Sequence, residues 1–231
     1  MEDLNFETLQ TKLEITGIAI DLYVEQDGEF SLNQISKEID LSVAEIFDYF
    51  PNKQAILDFY YTSLVIRYRL MIDEIEDFET YSLSEKLSNF VFASFDMMSE
   101  KQAFVEQTFK RRIRCSYGKK EYSKKVEEVL RSFFNEDPGI SSSGTLLLNE
   151  LFFQLLAKKY LYLVSYWIND DSEGKERTME LTDKVTAFIQ EVMYNSVADK
   201  GFDLLKFLLS NTKINCSNPI WDKISSKIEI R

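Results

Sequence analysis

Glycine and proline are scarce in this chain, and this scarcity constrains the fold more than any other feature of the sequence. The 231 residues contain 7 glycines and 3 prolines, too few for the many tight turns of a β-sandwich or β-barrel. Apolar residues make up 45% of the chain, which is enough to build a hydrophobic core. The sequence therefore predicts an all-α protein made of long helices.

Two short helices near the start of the chain carry explicit start signals. Ser31 is followed three residues later by Gln34, and Ser42 is followed three residues later by Glu45. Each pair forms the pattern of a capping box, in which the two residues satisfy each other's backbone amides. Asp40 lies between the two boxes, and we expect it to adopt the left-handed conformation that a sharp turn between helices usually needs.

The helices on either side of this pair complete a recognisable arrangement. A first helix is predicted over residues 6–26, and a short helix over Val43–Phe50 is ended by Pro51, because the residue before a proline leaves the helical conformation. Asn52 then caps a further helix over residues 53–75. A helix, a turn and a short helix within about twenty residues form a helix-turn-helix.

The rest of the chain is predicted to form a series of long helices. Ser82 with Glu85, and Ser99 with Gln102, have the spacing of two more capping boxes. The clearest loop is predicted over residues 135–145, which combine proline, glycine and three serines. Further breaks are predicted at residues 115–118, 170–175 and 212–219.

The segment over residues 18–60 carries a family resemblance in its residue order and spacing. The matching residues are Ile18–Tyr23, Ser31–Ser36, Asp40–Ser42, Ile46–Lys53 and Ile56–Leu57. They resemble the N-terminal domain of tetracycline-repressor-like (TetR-family) regulators. The resemblance implies a three-helix helix-turn-helix DNA-binding domain at residues 1–60, followed by a larger helical ligand-binding and dimerisation domain at residues 61–231.

The same resemblance implies a function and a set of DNA contacts. It implies a ligand-responsive transcriptional regulator, a repressor, that binds double-stranded operator DNA as a homodimer. The recognition helix corresponds to Val43–Phe50, and Lys53 stands where the family has a phosphate-contacting lysine. Phe47 stands where a phosphate-contacting tyrosine is common, so that hydroxyl is missing. The residues expected to contact DNA are Ser31, Gln34, Ser42, Val43, Ala44, Glu45, Phe47, Asp48, Tyr49 and Lys53.

The charge distribution keeps a second interpretation open. Residues 1–60, which we call the acidic head, contain thirteen acidic and three basic residues. They therefore carry most of the net charge of −12, and residues 61–231 carry little of it. Non-specific DNA affinity comes mainly from lysines and arginines that neutralise phosphates. An acidic head could instead bind a basic surface of a protein partner, so a TetR-like fold that binds protein rather than DNA is the alternative.

The larger domain is expected to hold a small ligand and a dimer interface. The ligand is expected to be apolar or amphipathic, with an anionic group as an option, because residues 110–131 hold nine basic and three acidic residues. The alternative for that basic cluster is a solvated helix face, and the alternative for the aromatic residues is an ordinary core. The candidate ligand-binding residues are Phe92, Phe95, Met98, Phe109, Arg112, Phe152, Tyr160, Tyr166 and Trp167. The candidate dimer-interface residues, which are also compatible with packing inside one subunit, are Leu181, Val185, Phe188, Ile189 and Val192.

Several function classes are excluded or disfavoured by what the sequence lacks. Histidine is absent, which removes histidine-based acid/base catalysis and histidine metal ligands. No glycine-rich phosphate loop and no metal-ligand spacing occur, so we expect no enzyme, no cofactor and no metal. The two cysteines, Cys115 and Cys216, are too few for a disulfide scaffold and are expected to be reduced. With no signal peptide and no membrane span predicted, we expect a cytoplasmic protein without a membrane partner.

Overall fold

The computed structural model describes residues 6–116, 121–135 and 137–195, and these residues are helical with no strand among them. The all-α prediction is therefore confirmed. Short 3-10 turns lie at Phe78–Thr80, Arg114–Ser116 and Glu173–Lys175. The helices are α1 (Phe6–Glu25), α2 (Leu32–Glu38), α3 (Val43–Tyr49), α4 (Lys53–Asp73), α5 (Leu83–Ser99), α6 (Gln102–Arg112), α7 (Glu121–Asn135), α8 (Ser142–Thr145), α9 (Glu150–Ile168) and α10 (Glu176–Tyr194).

Both predicted capping boxes of the helix-turn-helix are formed. The amide of Gln34 donates to Ser31 Oγ at 3.3 Å, and the amide of Ser31 donates to Gln34 Oε1 at 2.7 Å. The amide of Glu45 donates to Ser42 Oγ at 3.2 Å, and the amide of Ser42 donates to Glu45 Oε2 at 2.7 Å. Because these bonds satisfy the first free amides of α2 and α3, they set where each short helix begins.

The turn between α2 and α3 differs from the prediction at Asp40. Asp40 is not among the residues with positive φ, so the expected left-handed conformation is wrong. Ile39 ends α2 instead, with φ −126° and ψ 60°. The Ser36 hydroxyl donates to the Leu41 carbonyl at 2.6 Å, and this bond bridges the turn without a left-handed residue. The left-handed backbone lies one loop earlier, at Asp27 (φ 51°).

Two of the further helix starts follow the sequence and one does not. Asn52 Oδ1 accepts from the amide of Ala55 at 2.8 Å, and the Ser82 box is formed, so both predicted caps are confirmed. The predicted Ser99 box is wrong, because α5 continues through Ser99, whose hydroxyl donates to the Phe95 carbonyl at 2.8 Å. Helix α6 begins after Lys101 with no side-chain cap. The longer α5 buries its two methionines at residues 97 and 98 against the core.

Helix α4 passes through the core and joins the head to the rest of the molecule. It is 21 residues long and continues across residue 60, where the sequence predicts a domain boundary; the division at that residue stays a prediction. The ring of Phe104 on α6 packs against Tyr60 of α4 at 5.3 Å and against Tyr23 of α1 at 5.5 Å. The hydrophobic core is therefore continuous between the two predicted domains.

Buried phenols are a distinctive part of this core. Tyr61, Tyr68, Tyr122 and Tyr160 are each no more than 5% exposed and lie among the phenylalanine rings of α4 to α9. Tyr61 and Thr108 share a hydrogen bond of 2.6 Å, and the hydroxyls of Tyr122 and Tyr160 share one of 2.8 Å. Burial raises the pKa of each of these phenols well above its ordinary value. We call this set the tyrosine cluster: Tyr61, Tyr68, Tyr122 and Tyr160.

Candidate nucleic-acid interface and apolar groove

Helix α3 presents a short outward face that could meet DNA. Ile46 is fully buried and anchors the helix, whereas Ala44, Phe47 and Asp48 are exposed, Phe47 by 50%. Val43 and Tyr49, also predicted to contact DNA, are partly buried. The structure thus places the predicted recognition residues on one helix, whose outward face is apolar and acidic.

Three other residues predicted to contact DNA already form hydrogen bonds within the protein. Glu45 is exposed, and the hydrogen bonds from Ser42 lower the pKa of its carboxyl. Gln34, besides capping α2, donates from Nε2 to Gln26 Oε1 at 3.0 Å. Lys53 Nζ donates to the Phe30 carbonyl at 2.7 Å. The side chains of Gln34 and Lys53 therefore help to hold the acidic head together.

The lysines of the acidic head are largely committed to aromatic rings. The Lys53 ammonium lies 5.1 Å from the centre of the Phe30 ring, and Lys12 lies 5.4 Å from that of Phe50. Such cation–π contacts hold an ammonium against an aromatic face. Lys37, the third lysine of the acidic head, is exposed on α2. The cationic surface available for phosphates is therefore small.

A second candidate site is an apolar groove between four helices. Its volume is about 360 Å³, within the range of small-molecule pockets. Helices α9 and α10 form its sides, and residues of α5 and α7 complete it. The residues that line the apolar groove are Leu87, Val91, Leu130, Phe152, Leu156, Lys159, Tyr160, Tyr162, Leu163, Tyr166, Leu181, Val185, Thr186, Phe188 and Ile189.

The structure divides the predicted ligand-binding residues into two groups. Phe152, Tyr160 and Tyr166 line the apolar groove, whereas the other six do not. Phe95 and Trp167 stack on each other with ring centres 5.1 Å apart. The remaining four that lie off the groove are Phe92, Met98, Phe109 and Arg112.

Arg112 belongs instead to the junction between α6 and the head. Its guanidinium is 8% exposed, with Nη1 3.4 Å from Asp58 Oδ1 on α4. The same guanidinium lies 5.9 Å from the ring centre of Tyr23 on α1. A second ion pair, between Lys101 and Asp21, also joins the start of α6 to α1. The arginine predicted to bind an anion is thus a structural contact between helices.

The predicted dimer residues meet the predicted ligand residues in the same groove. Leu181, Val185, Phe188 and Ile189 line it together with the three aromatic residues of α9 that were predicted to bind ligand, and Val192 does not. Leu181 and Val185 are 37% and 40% exposed, and Tyr166 is 44% exposed, so these three form an exposed rim. The dimer interface stays a prediction.

Lys159 and Tyr162 are the features that sequence reasoning missed. The Lys159 ammonium lies 5.9 Å from the ring centre of Tyr162, and the Arg114 guanidinium lies 5.1 Å from the same ring. Burial first, and then the neighbouring Lys158, lower the pKa of Lys159. The sequence could have indicated this site, because Lys159 lies in a helix, α9, whose residues are mostly apolar.

Three observations concern the predictions about a membrane span, a metal site and the cysteines. No helix among the described residues is long and apolar enough to cross a membrane. Within the same described part, no three histidine, cysteine, aspartate or glutamate side chains are grouped closely enough to hold a metal ion. Cys115 is disulfide-bonded, so the prediction of reduced cysteines is wrong at this position. Cys216 and the predicted break at residues 212–219 lie outside the described residues.

The architecture is a helix-turn-helix head joined by a long helix to a larger helical body. A protein-family model for the tetracyclin repressor-like C-terminal domain matches residues 86–208. The match covers more than half of the chain, and the chain belongs to the tetracycline-repressor-like family. DNA binding and transcriptional regulation are typical of that family.

A solved structure of another regulator shows the same fold. The TetR transcriptional regulator from Nitrosomonas europaea ATCC 19718 is 16% identical and aligns over 78% of this chain and 97% of its own, with a TM-score of 0.57. A TetR-family transcriptional regulator from Streptomyces coelicolor, also 16% identical, covers 95% of this chain and 96% of its own with a TM-score of 0.49. No curated protein matches the sequence.

Proposed function

We propose that this chain is a ligand-responsive transcriptional repressor that binds operator DNA as a homodimer and catalyses no reaction. The observation that carries the proposal is the closed pair of capping boxes, which holds α2 and α3 as a helix-turn-helix on a chain of this family. In that motif the second helix enters the major groove.

The outward face of α3 would contact base edges in this proposal. Ala44 and Phe47 offer apolar contact of the kind that thymine methyl groups accept, and Asp48 offers an acceptor for a cytosine amino group. The hydroxyl of Ser31 at the start of α2, the hydroxyl of Ser42 at the start of α3 and the side chain of Lys53 after α3 would contact the backbone. The remaining proposed contacts are Gln34, Val43, Glu45 and Tyr49.

We propose that residues 1–60 read the DNA and that residues 61–231 bind the ligand and form the dimer. The exposed apolar rim on α9 and α10, formed by Tyr166, Leu181 and Val185, supports a seam between two copies. A two-fold dimer would place two α3 helices in successive major grooves, about 34 Å apart. Such a protein acts where the DNA is, and we place it in the cytoplasm.

The test is enrichment of genomic fragments by the purified full-length chain. Protein would be mixed with fragmented DNA of the source organism at about 50 mM salt, where electrostatic binding is strongest, and again at about 200 mM. We expect recovery of a palindromic site that resists the higher salt. Fragments indistinguishable from the input, obtained with folded dimeric protein, would refute DNA binding.

A second candidate function is favoured by the charge of α3. The helix holds Glu45 and Asp48 and no basic residue, and both acids are exposed. This surface would fit a basic region of a protein partner better than a phosphate backbone. If no DNA fragment is enriched, pull-down with the full-length chain as bait should recover a partner whose binding is lost when Glu45 and Asp48 are both replaced by lysine.

A further inference from the structure

We propose that the apolar groove binds an anionic amphiphile, a carboxylate on a saturated hydrocarbon chain, with the chain along the groove and the carboxylate at Lys159. The inference deepens the ligand-binding part of the proposed function by naming the class of ligand. It concerns the DNA-free protein, so it can hold or fail independently of DNA binding.

The interior of the groove calls for a hydrocarbon rather than a polar ligand. Leu87, Val91, Leu130, Leu156 and Ile189 come from four helices and are each at most 9% exposed, so they form a deep apolar floor. Burying hydrocarbon against such a floor is favourable in proportion to the apolar area removed from water.

Two hydroxyls in the middle of the lining are already hydrogen-bonded inside the protein. The Thr186 hydroxyl is 2.8 Å from that of Ser88. The Tyr160 hydroxyl is hydrogen-bonded to that of Tyr122. These hydroxyls need no partner from a ligand, so the middle of the groove offers a bound molecule apolar contact and little else.

Positive charge is concentrated at one part of the lining. Among the described residues that line the groove, Lys159 is the charged one. Arg114 faces the same Tyr162 ring as Lys159, and Lys158 is adjacent in sequence. Burial and the Lys158 charge both disfavour the charged form of Lys159 and lower its pKa. A carboxylate placed there would accept a charge-assisted hydrogen bond from the Lys159 ammonium.

A carboxylate amphiphile fits these observations better than a partner protein does. The exposed rim of Tyr166, Leu181 and Val185 is where a second copy would make contact, whereas the floor lies deeper, among four helices. The volume of about 360 Å³ is that of a small-molecule pocket. A dimer formed on the rim would close the groove over the bound chain.

The first test is a chain-length series with the full-length chain and no DNA. Octanoate, decanoate and dodecanoate would be titrated calorimetrically below their micelle concentrations, with dodecanol as the uncharged analogue. We expect affinity to rise about fourfold for each added CH₂ until the groove is full. Affinity that is absent for every member, or that does not change with chain length, would overturn the proposal.

The second test places the carboxylate. Lys159→Met should weaken dodecanoate by about tenfold or more and leave dodecanol unchanged, because only the charged hydrogen bond is lost. Lys158→Met is the matched control, since it removes the neighbouring charge without changing the lining, and it should change dodecanoate binding less than threefold. Equal losses for the two lysine variants would mean general electrostatic attraction and would overturn the assignment.

The third test places the hydrocarbon. Val185→Trp adds a large ring at an exposed position, so we expect the variant to fold, as judged by its melting temperature, and to lose dodecanoate binding. Retained binding would show that the chain lies elsewhere. Light scattering at each titration concentration gives the oligomeric state. Dodecanoate that binds only to dilute monomer would mean that a second copy fills the groove, which also overturns the proposal.

Discussion

The charge of α3 should control how steeply DNA affinity falls with salt. The perturbation is Asp48→Lys, which replaces an exposed acid on the outward face of α3 with a cation. A phosphate neutralised by a lysine contributes about −0.9 to the slope of log K against log salt. Two heads in a dimer should therefore make the slope more negative by about 1.8.

The wild-type slope itself can be bounded from the structure. Lys53 is bonded to the Phe30 carbonyl and Lys12 lies over the Phe50 ring, so Lys37 is the lysine of the head most available to phosphates. If it alone makes contact in each subunit, the slope is about −2, and if all three lysines do, it is about −5. Both values are shallow for a specific DNA-binding dimer.

The assay is fluorescence anisotropy with the enriched operator between about 50 and 200 mM salt. Over that fourfold range, a slope change of 1.8 corresponds to an extra loss of about twelvefold in affinity for Asp48→Lys. The control is Glu76→Lys, the same charge change at an exposed position beyond the far end of α4. An unchanged slope for Asp48→Lys, or an equal change for Glu76→Lys, would refute the placement of α3 in the DNA groove, close to the phosphates.

Three further predictions concern stability, each checked by chemical or thermal unfolding. Ser42→Ala should cost about 1 kcal/mol by removing a formed cap, whereas Ser99→Ala should cost less than about 0.5 kcal/mol, because Ser99 caps no helix. Asp58→Asn should cost about 2 kcal/mol by leaving the buried guanidinium of Arg112 without its carboxylate, whereas Asp171→Asn, at an exposed pair, should fall within about 0.5 kcal/mol of wild type. Because burial raises the pKa of the phenols in the tyrosine cluster, these phenols ionise more readily in the unfolded chain. The free energy of unfolding should therefore be constant up to about pH 10 and fall above it, as tyrosinate absorbance appears. If tyrosinate absorbance from these residues rises at the ordinary pKa while the fold persists, the prediction is wrong.

Local signals in the sequence predicted much of the head. A capping box depends on two residues three positions apart, so Ser31 with Gln34 and Ser42 with Glu45 could be identified without tertiary information. The same pattern failed at Ser99, because packing of the neighbouring methionines keeps that residue inside α5. The left-handed conformation predicted for Asp40 is wrong because a tertiary detail replaces it. The Ser36 hydroxyl donates to the Leu41 carbonyl and closes the turn without a left-handed residue.

The groove could be predicted only in part, because its lining depends on how helices pack. Periodicity identified the apolar stripe at Leu181 and Val185, but it could not say that this stripe faces Phe152 and Tyr160 across a cavity. The sequence predicts Arg112 as a ligand contact because it lies in the basic cluster of residues 110–131, where an arginine suits an anion. Its partner, Asp58, lies 54 residues away in sequence, and no local pattern links the two.

Because α4 is one uninterrupted helix, a tilt at one of its ends produces a displacement at the other. This helix of 21 residues is about 30 Å long, so a tilt of about 10° at one end displaces the other by about 5 Å. In the proposed dimer two such helices would change the separation of the heads by up to about 10 Å, nearly a third of the 34 Å between half-sites. In that dimer, small rearrangements in the body would be magnified at the DNA, and no part of α4 itself would have to bend.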